Sequence, residues 1–455
     1  MTTRTGHFRR GFAGALPFAF FLAAPPASAQ TTPDGLHVSG SMRLRYETIG
    51  GEVRPGFNAS DELIDLRTIL TATYKTGPIR IGAEVYDSRS WLGNSGTPIS
   101  TNEVNAFEPV QAWIAADIAR PFGPGTSLTL QAGRMQTNLG SRRLVASDDY
   151  RNTTNGYTGL RGDLGLGGGV KASFGYLLPQ QRRPDDLPSL LDNKVRLDRE
   201  GFDQVVWGGV VSRAKTIGPA MAEIGFYHFG ERDTPGRPTR DRSLNIVTAR
   251  VLRDPAPGAI DYEVEGIYET GRISASLAPA AARLEVGAWF VYARIGYGLG
   301  GAWKPHLAAE FDMASGDKAG GKYGRFDTLF GFRRAELGPV GLYNVVARTN
   351  VLSPGLRAEA APGKRVDLML SYRLLWLAEA TDSFAGSGVR DASGGSGRFA
   401  GQQLDARVRT WIVPQRLRFE VDGVWLAKGH FLREAPNAPQ DGDTTYLSLN
   451  LMASF

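Results

Sequence analysis

The chain contains 455 residues, lacks cysteine and carries a formal net charge of +6 at pH 7. Three arginines and no acid lie in the first 29 residues, so the remainder keeps a surplus of +3, too small to indicate a nucleic-acid partner. The mean hydropathy is -0.23. After residue 29 no apolar run is long enough to cross a bilayer as a helix, which excludes a polytopic helical membrane protein.

Residues 1–29 have the order of regions found in a secretory signal peptide. Small residues at 27–29 offer a cleavage site, and before them comes the apolar run 11–24, preceded by the basic residues Arg4, Arg9 and Arg10. The alternative is a transmembrane anchor, but the run is too short for one and contains Pro17. We therefore expect residues 1–29 to be removed on export and residues 30–455 to form one domain.

From residue 36 onward the chain repeats one unit, a segment of alternating apolar and polar residues followed by a turn. In the first unit, apolar residues alternate from Val38 to Tyr46, and the positions between carry Arg43, Arg45 and Glu47. Similar segments occupy residues 65–74, 170–178, 260–269, 366–376 and 417–425. A period of two places one set on each face of a β-strand, so one face suits lipid and the other suits water.

The C-terminal segment alternates as well, and its aromatic side chain falls on the last residue, Phe455. This arrangement is typical of the closing strand of a bacterial outer-membrane barrel. Only helices and closed barrels satisfy their backbone groups in lipid. The sequence therefore predicts an all-β fold, a transmembrane antiparallel β-barrel in the outer membrane.

Short and long connections alternate between the predicted strands. Eight Gly/Pro turns fall near residues 76–78, 121–125, 165–169, 216–219, 254–258, 296–301, 361–363 and 413–414. Nine longer polar segments fall near 49–62, 89–106, 135–155, 179–202, 230–242, 270–283, 313–340, 379–402 and 429–444. Outer-membrane barrels connect their strands by short periplasmic turns and long extracellular loops in alternation. Eight turns and nine loops therefore predict about 18 strands. An extra pair at 328–336 and 340–348 would make the number 20.

A soluble sandwich or β-helix is the alternative explanation of the alternation. The aromatic side chains argue against it, because they could form the two girdles at the membrane interfaces. The candidates are Tyr46, Tyr74, Tyr86, Trp113, Trp207, Tyr227, Tyr268, Trp289, Tyr292, Trp376, Trp411 and Trp425.

The predicted lumen wall is rich in arginine, with Arg43, Arg45, Arg67, Arg80, Arg373, Arg407, Arg409 and Arg418. Acids such as Glu263, Glu265, Asp405 and Asp422 share this wall. One interpretation is cross-strand ion pairing that stiffens a hydrated barrel. The other is a constriction in which unpaired guanidinium groups attract anions, because the planar fork of arginine pairs bidentately with carboxylates.

Two internal stretches point to a family. The first runs from Gly133 to Arg161 and contains Asn138-Leu-Gly-Ser-Arg-Arg143 and Asp148-Asp-Tyr-Arg151. The second is Glu310-Phe-Asp-Met-Ala-Ser-Gly-Asp317 with Gly324-Arg-Phe-Asp-Thr-Leu-Phe330, followed by Trp376-Leu-Ala378 and Asp382. Together they resemble the alginate-export family of outer-membrane barrels, over residues 36–455. The resemblance implies a monomeric barrel of eighteen strands that exports an anionic polysaccharide through an arginine-lined constriction narrowed by loops.

The resemblance implies that the arginines of the first stretch also line the pore: Arg134, Arg142, Arg143, Arg151 and Arg161. Asp148 and Asp149 are expected to pin the loop that enters the pore, with plain loop folding as the alternative. Asp312, Asp317 and Asp327 match the acidic stretch of the family and are candidates for a metal site, with an Asx-turn network as the alternative. Their spacing is not that of a twelve-residue calcium loop, and Lys318, Lys322 and Arg325 lie among them.

The sequence offers no catalytic motif. His37, His228, His306 and His430 remain after the first 29 residues, and none lies in a nucleophile or metal-binding pattern. We therefore expect no enzyme activity and no cofactor. The predicted function is a channel exporting an alginate-like polysaccharide, in contact with outer-membrane lipid and with periplasmic export partners. An uptake porin selective for anions or sugars is the alternative, and a plugged adhesive barrel is a third class.

Overall fold

The computed structural model describes residues 34–455, so the predicted signal peptide lies outside the described residues. Its eighteen strands are β1 (Gly35–Gly50), β2 (Ser60–Thr76), β3 (Ile79–Trp91), β4 (Asn105–Ala119), β5 (Ser127–Met135), β6 (Tyr157–Gly167), β7 (Val170–Pro179), β8 (Gln204–Ile217), β9 (Ala220–Glu231), β10 (Ser243–Arg253), β11 (Ile260–Ser274), β12 (Arg283–Gly298), β13 (His306–Ala314), β14 (Val351–Gly363), β15 (Val366–Trp376), β16 (Phe399–Val413), β17 (Leu417–Lys428) and β18 (Thr444–Ser454).

Every strand pairs antiparallel with its neighbours in sequence, and β18 returns to pair with β1, which closes the sheet into a barrel. Beyond β18, the Phe455 N–H donates to the Gly40 carbonyl at 3.0 Å, and its carbonyl accepts from the Gly40 N–H at 3.2 Å. The prediction of a closed antiparallel barrel is confirmed.

Nine long loops, L1 to L9, join the strands at one end, and eight short turns, T1 to T8, join them at the other. The loops are 51–59, 92–104, 136–156, 180–203, 232–242, 275–282, 315–350, 377–398 and 429–443. The turns are 77–78, 120–126, 168–169, 218–219, 254–259, 299–305, 364–365 and 414–416. In outer-membrane barrels the loop end is extracellular and the turn end periplasmic.

The count of eighteen strands is confirmed, because residues 328–348 form no additional strand pair. This segment lies in L7 and includes the short helix α2 (Arg334–Leu337). Two other short helices lie in loops L4 and L9, α1 (Leu187–Leu191) and α3 (His430–Glu434). No helix in residues 34–455 has the length and apolarity needed to span a membrane.

The two faces of the wall separate as alternation predicts. Leu44 is 48% exposed on the outside and pairs in register with Leu66 and Leu451, whereas Arg45 is 1% exposed and pairs with Asp65 and Asn450. The apolar set therefore faces lipid and the charged set faces the lumen.

The aromatic girdle is only partly as predicted. Several candidates are exposed on the outer face, among them Tyr74, Trp207, Tyr268 and Trp425. Others share the lumen face of their strands with polar neighbours, so their assignment to the girdle was wrong: Tyr86, Trp113, Tyr227, Tyr292 and Trp411. Strand parity, not side-chain type, decides which face an aromatic residue occupies.

We predict that Gly82→Val destabilises the barrel. A Cβ at Gly82 would lie 2.3 Å from the ring of Trp113 on the neighbouring strand, and relieving this overlap costs about 1–3 kcal/mol. Gly266→Val is the matched control, because a Cβ there meets nothing within 4 Å. Urea titrations of the refolded barrel would report both changes, and equal midpoints for the two variants would contradict the expectation.

Candidate pore constriction

Loops L3 and L7 fold into the barrel and bind each other there. Val145 of L3 forms a parallel bridge with Phe330 of L7, and the Phe330 N–H donates to the Leu144 carbonyl at 2.9 Å. The Phe332 N–H donates to the Arg142 carbonyl, also at 2.9 Å. We call residues 136–156 and 315–350 together the plug. Backbone hydrogen bonds make its two segments one layer.

The plug crosses the barrel from wall to wall. At one end of L3, Arg143 donates to Glu263 at 2.8 Å and contacts Glu265, both on β11. At the other end, the Tyr150 carbonyl accepts from Arg43 at 2.7 Å and from Arg45 at 2.5 Å, both on β1. Strands β1 and β11 lie on opposite sides of an eighteen-stranded ring, so the plug divides the lumen.

Buried ion pairs fasten L7 to L3 and to the wall. Glu336 contacts both Arg143 of L3 and Arg348 of L7. Burial opposes ionisation of Glu336, but the two guanidinium groups hold its pKa well below the usual range. Arg334 reaches Asp405 on β16 at 3.2 Å and also contacts Asp422 on β17. Removing one partner of such a pair leaves an uncompensated charge in a buried site.

Three predicted pore arginines act as loop anchors. Arg43 and Arg67 each donate at 2.9 Å to the Arg151 carbonyl, and Arg67 also reaches the Asp149 carbonyl at 3.0 Å. Arg45 binds Glu47 at 2.8 Å in addition to its contact with L3. Their guanidinium groups satisfy backbone carbonyls of the plug, which otherwise would be buried without a donor.

The two predicted loop-pinning acids differ in environment. The carboxylate of Asp148 accepts from the backbone N–H of Tyr150 at 2.9 Å and of Arg151 at 3.1 Å. Burial opposes ionisation, but the Arg151 guanidinium at 3.0 Å and these N–H groups lower the pKa of Asp148. The Asp149 side chain is exposed, and only its backbone carbonyl holds wall arginines.

A second set of arginines is held by amides. Arg151 donates to Asn102 Oδ1 at 2.8 Å and to Asn155 Oδ1 at 2.7 Å. Arg182 of L4 donates to the same two oxygens, at 3.2 Å and 2.6 Å. The two guanidinium groups therefore lie side by side, bridged by two neutral side chains.

Arg333 of L7 completes this set, which we call the guanidinium cluster (Arg151, Arg182 and Arg333). Within residues 34–455 neither Arg182 nor Arg333 has a carboxylate within salt-bridge distance. Burial, and next the charge of Arg151, lower the pKa of Arg182 to about 9 and that of Arg333 to about 10. Positive charge is thus concentrated where L3, L4 and L7 meet.

Sequence reasoning included Arg151 but missed Arg182 and Arg333, and also Arg334 and Arg348. The available signal was the adjacent pairs Arg182-Arg183 and Arg333-Arg334 inside long loops. Nothing in the sequence indicates that two loops separated by residues 157–314 meet in the lumen.

The remaining predicted pore arginines lie next to carboxylates, except Arg142. Arg134 binds Glu108 and Glu200, Arg161 binds Asp163, Arg373 binds Glu310 and Asp312, and both Arg407 and Arg409 bind Asp367. Arg142 stacks over the Phe332 ring at 4.5 Å and donates to Asn138 at 3.1 Å. For the carboxylate-bound arginines, the geometry corresponds to cross-strand or local ion pairing.

The metal candidates are not brought together. Asp312 lies on β13 and binds Arg373 at 2.8 Å, Asp317 accepts from the Gly324 N–H at 3.0 Å, and Asp327 contacts Arg242. Across residues 34–455, no group of three or more histidines and acids is arranged to hold a metal ion. Spacing along L7 was misleading because the loop spreads these acids over different partners.

A closed eighteen-stranded barrel with inward-folded loops and a charged lumen defines a channel of the bacterial outer membrane. The chain belongs to the alginate-export family, whose profile, described as alginate export, matches residues 36–443.

Solved structures show the same fold at low identity. The outer-membrane protein OpdK from Pseudomonas aeruginosa is 14% identical, covers 92% of this chain and 99% of its own, and has a TM-score of 0.55. OccK2 (OpdF) from the same organism is 13% identical, with coverages of 93% and 100% and a TM-score of 0.56. OpdK has also been solved with vanillate, at 13% identity, coverages of 92% and 99%, and a TM-score of 0.54. No curated protein matches the chain.

We predict that Arg334→Ala loosens the plug. The change leaves Asp405 and Asp422 buried without their guanidinium partner, which costs about 3–5 kcal/mol. Limited proteolysis should cut L7 faster in the variant while the strands stay protected. Lys318→Ala, an exposed position of the same loop, is the control and should be cut at the wild-type rate. A protease-resistant L7 in Arg334→Ala would show that these ion pairs do not hold the plug.

Proposed function

We propose that this channel passes an anionic, alginate-like polysaccharide, and that the guanidinium cluster attracts the carboxylates of the sugar chain. The observation that carries the proposal is the bracing of Arg151 and Arg182 by Asn102 and Asn155. Amide oxygens orient a guanidinium group without cancelling its charge. Among the described residues one carboxylate, that of Asp148 at 3.0 Å from Arg151, is paired with the three guanidinium groups, so the cluster keeps a net positive charge in a low-dielectric site.

The family membership supports a polysaccharide as the cargo. Each uronate unit of an alginate-like chain carries one carboxylate, and arginine binds carboxylates through two parallel hydrogen bonds. A cluster contributed by three loops could hold successive units weakly, which favours passage over trapping. Export is the direction that the family description suggests.

Uptake of small anions is the second candidate function. It is favoured by the fold shared with the Pseudomonas barrels, one of which was solved with vanillate. It is also favoured by the plug, because a lumen divided by L3 and L7 suits a small solute better than a polymer unless the plug moves.

We predict that replacing Arg151, Arg182 and Arg333 together by Gln lowers the anion-to-cation permeability ratio about fivefold or more. Reversal potentials in planar bilayers under a salt gradient measure this ratio. The control is Arg134→Gln with Arg161→Gln, since both side chains are already paired with carboxylates. If the triple variant keeps the wild-type reversal potential, the cluster does not set selectivity.

The same recordings distinguish the two functions. Oligomannuronate that blocks the wild-type current, with weaker block in the triple variant, supports the polysaccharide channel. Block by small carboxylates alone supports uptake. Absence of conductance at every applied membrane potential would favour the plugged adhesive barrel.

The selectivity should also depend on pH through two buried acids, Asp198 of L4 and Glu103 of L2. Burial raises the pKa of Glu103 to about 7, although two hydrogen bonds from Ser100 oppose the shift. Burial, and next the charge of Glu108, raise the pKa of Asp198 to about 7 as well. Both acids act electrostatically on Arg182, so their ionisation places negative charge near the cluster.

We therefore predict that anion preference falls by about a factor of two as pH rises from 6 to 8, because Glu103 and Asp198 lose their protons in this range. Reversal potentials at the two pH values measure the effect. Glu103→Gln combined with Asp198→Asn should give the same preference at both. A wild-type channel with no pH dependence, or a double variant that keeps it, would contradict this role.

A further inference from the structure

An aromatic side chain faces the lumen at the periplasmic mouth, next to an arginine with few partners. Trp411 of β16 pairs in register with Arg418 of β17, and the Arg418 guanidinium lies 5.8 Å from the indole ring centroid. Two positions further into the barrel, Arg409 pairs with Glu420 on the same face. Trp411, Arg409 and Arg418 thus form one surface on the lumen wall, which we call the mouth site.

Arg418 is weakly held. Its nearest carboxylate oxygen, on Glu420, is 3.9 Å away, and Met452 Sδ is 4.0 Å away. In the described part of the chain its guanidinium makes no hydrogen bond to oxygen. The cation–π contact with Trp411 is close to the outer limit of about 6 Å for such contacts. Its donors are therefore available to a ligand carboxylate.

Charged side chains surround the mouth site. Arg407 and Arg409 contact Asp367, and Arg409 and Arg418 contact Glu420. The neighbouring turn tips add three exposed basic side chains, Lys364 and Arg365 of T7 and Arg416 of T8. Among the eight turns the single acid is Asp254, so the rim beside the mouth site carries a surplus of positive charge.

Backbone hydrogen bonds hold the two basic turn tips against neighbouring strands. The Trp411 backbone N–H donates to the Arg365 carbonyl at 2.8 Å, and the Ser454 N–H donates to the Arg416 carbonyl at 2.7 Å. T7 is therefore joined directly to the backbone of Trp411, and T8 is joined to β18.

We infer that the mouth site binds a uronate unit of an acidic polysaccharide arriving from the periplasm. The apolar C–H face of a pyranose ring packs on the flat indole of Trp411. The carboxylate of the same sugar unit pairs with Arg418 and Arg409. A small inorganic anion would need the arginines alone. The presence of Trp411 beside them therefore points to a charged sugar. This inference rests on the proposed function and adds a first binding step on the periplasmic side.

Equilibrium binding tests the inference without requiring current. The full chain, refolded in non-ionic detergent, is titrated against a fluorescent hexamannuronate at low ionic strength, and anisotropy is recorded. Trp411→Ala and Arg418→Gln should each weaken binding about fivefold or more. A neutral hexasaccharide should bind far more weakly to wild type and should not distinguish the variants.

The rim charges allow a matched comparison. Lys364→Gln, Arg365→Gln and Arg416→Gln together remove three charges beside the mouth site. Arg120→Gln, Arg213→Gln and Lys215→Gln together remove three charges from the same end of the barrel, away from β15–β17. We expect the first variant to bind the hexamannuronate several-fold more weakly and the second to bind as wild type. Because all six side chains are exposed or at turn tips, neither variant should impair folding.

The outcomes separate this inference from the proposed function. Binding that is lost in the triple variant of the guanidinium cluster but unchanged in Trp411→Ala and Arg418→Gln overturns the mouth site and leaves the polysaccharide channel intact. Equal weakening by both sets of rim substitutions indicates unspecific attraction and also overturns it. No binding to wild type at any ionic strength removes both proposals.

Discussion

The structure depends first on the need to satisfy every backbone hydrogen bond within lipid. Pairing β1 with β18 closes the sheet and leaves no edge strand exposed. Closure then fixes the rest of the wall, because alternate residues must face lipid and the other half must face the lumen. The charged half can only be accommodated inside, so a barrel built this way encloses many guanidinium and carboxylate groups that need partners.

Two long loops supply many of those partners. Arg143 connects L3 to Glu336 of L7 and to acids of β11, and Arg334 connects L7 to wall acids. The wall arginines of β1 and β2 bind carbonyls of L3. Buried charges that lack partners are costly, so this mutual satisfaction places the plug in the lumen and holds it there. In contrast, the guanidinium cluster combines three arginines with one paired carboxylate, that of Asp148, among the described residues.

The fold could be predicted from the sequence because its signals are local. The period of two and the Gly/Pro turns specify each strand. The site could not be predicted to the same degree. Which arginines become loop anchors depends on L3 meeting β1 and β11, and on L7 meeting L3, and neither contact leaves a pattern along the chain. Arg182 and Arg333 were missed for this reason, and Trp411 was misplaced because its face follows from the strand register.

The hydrogen bonds between L3 and L7 make two loops, and not the wall, responsible for the aperture of the channel. The wall is held together by backbone pairing that tolerates many side chains, whereas the aperture is shaped by two inserted segments. Lineages of this barrel can therefore acquire new cargo by exchanging loops, provided that the wall residues opposite each loop, such as Glu263 and Asp422, change in step. Coordinated substitution between loop and wall, more than change in either alone, should record a shift of substrate during evolution.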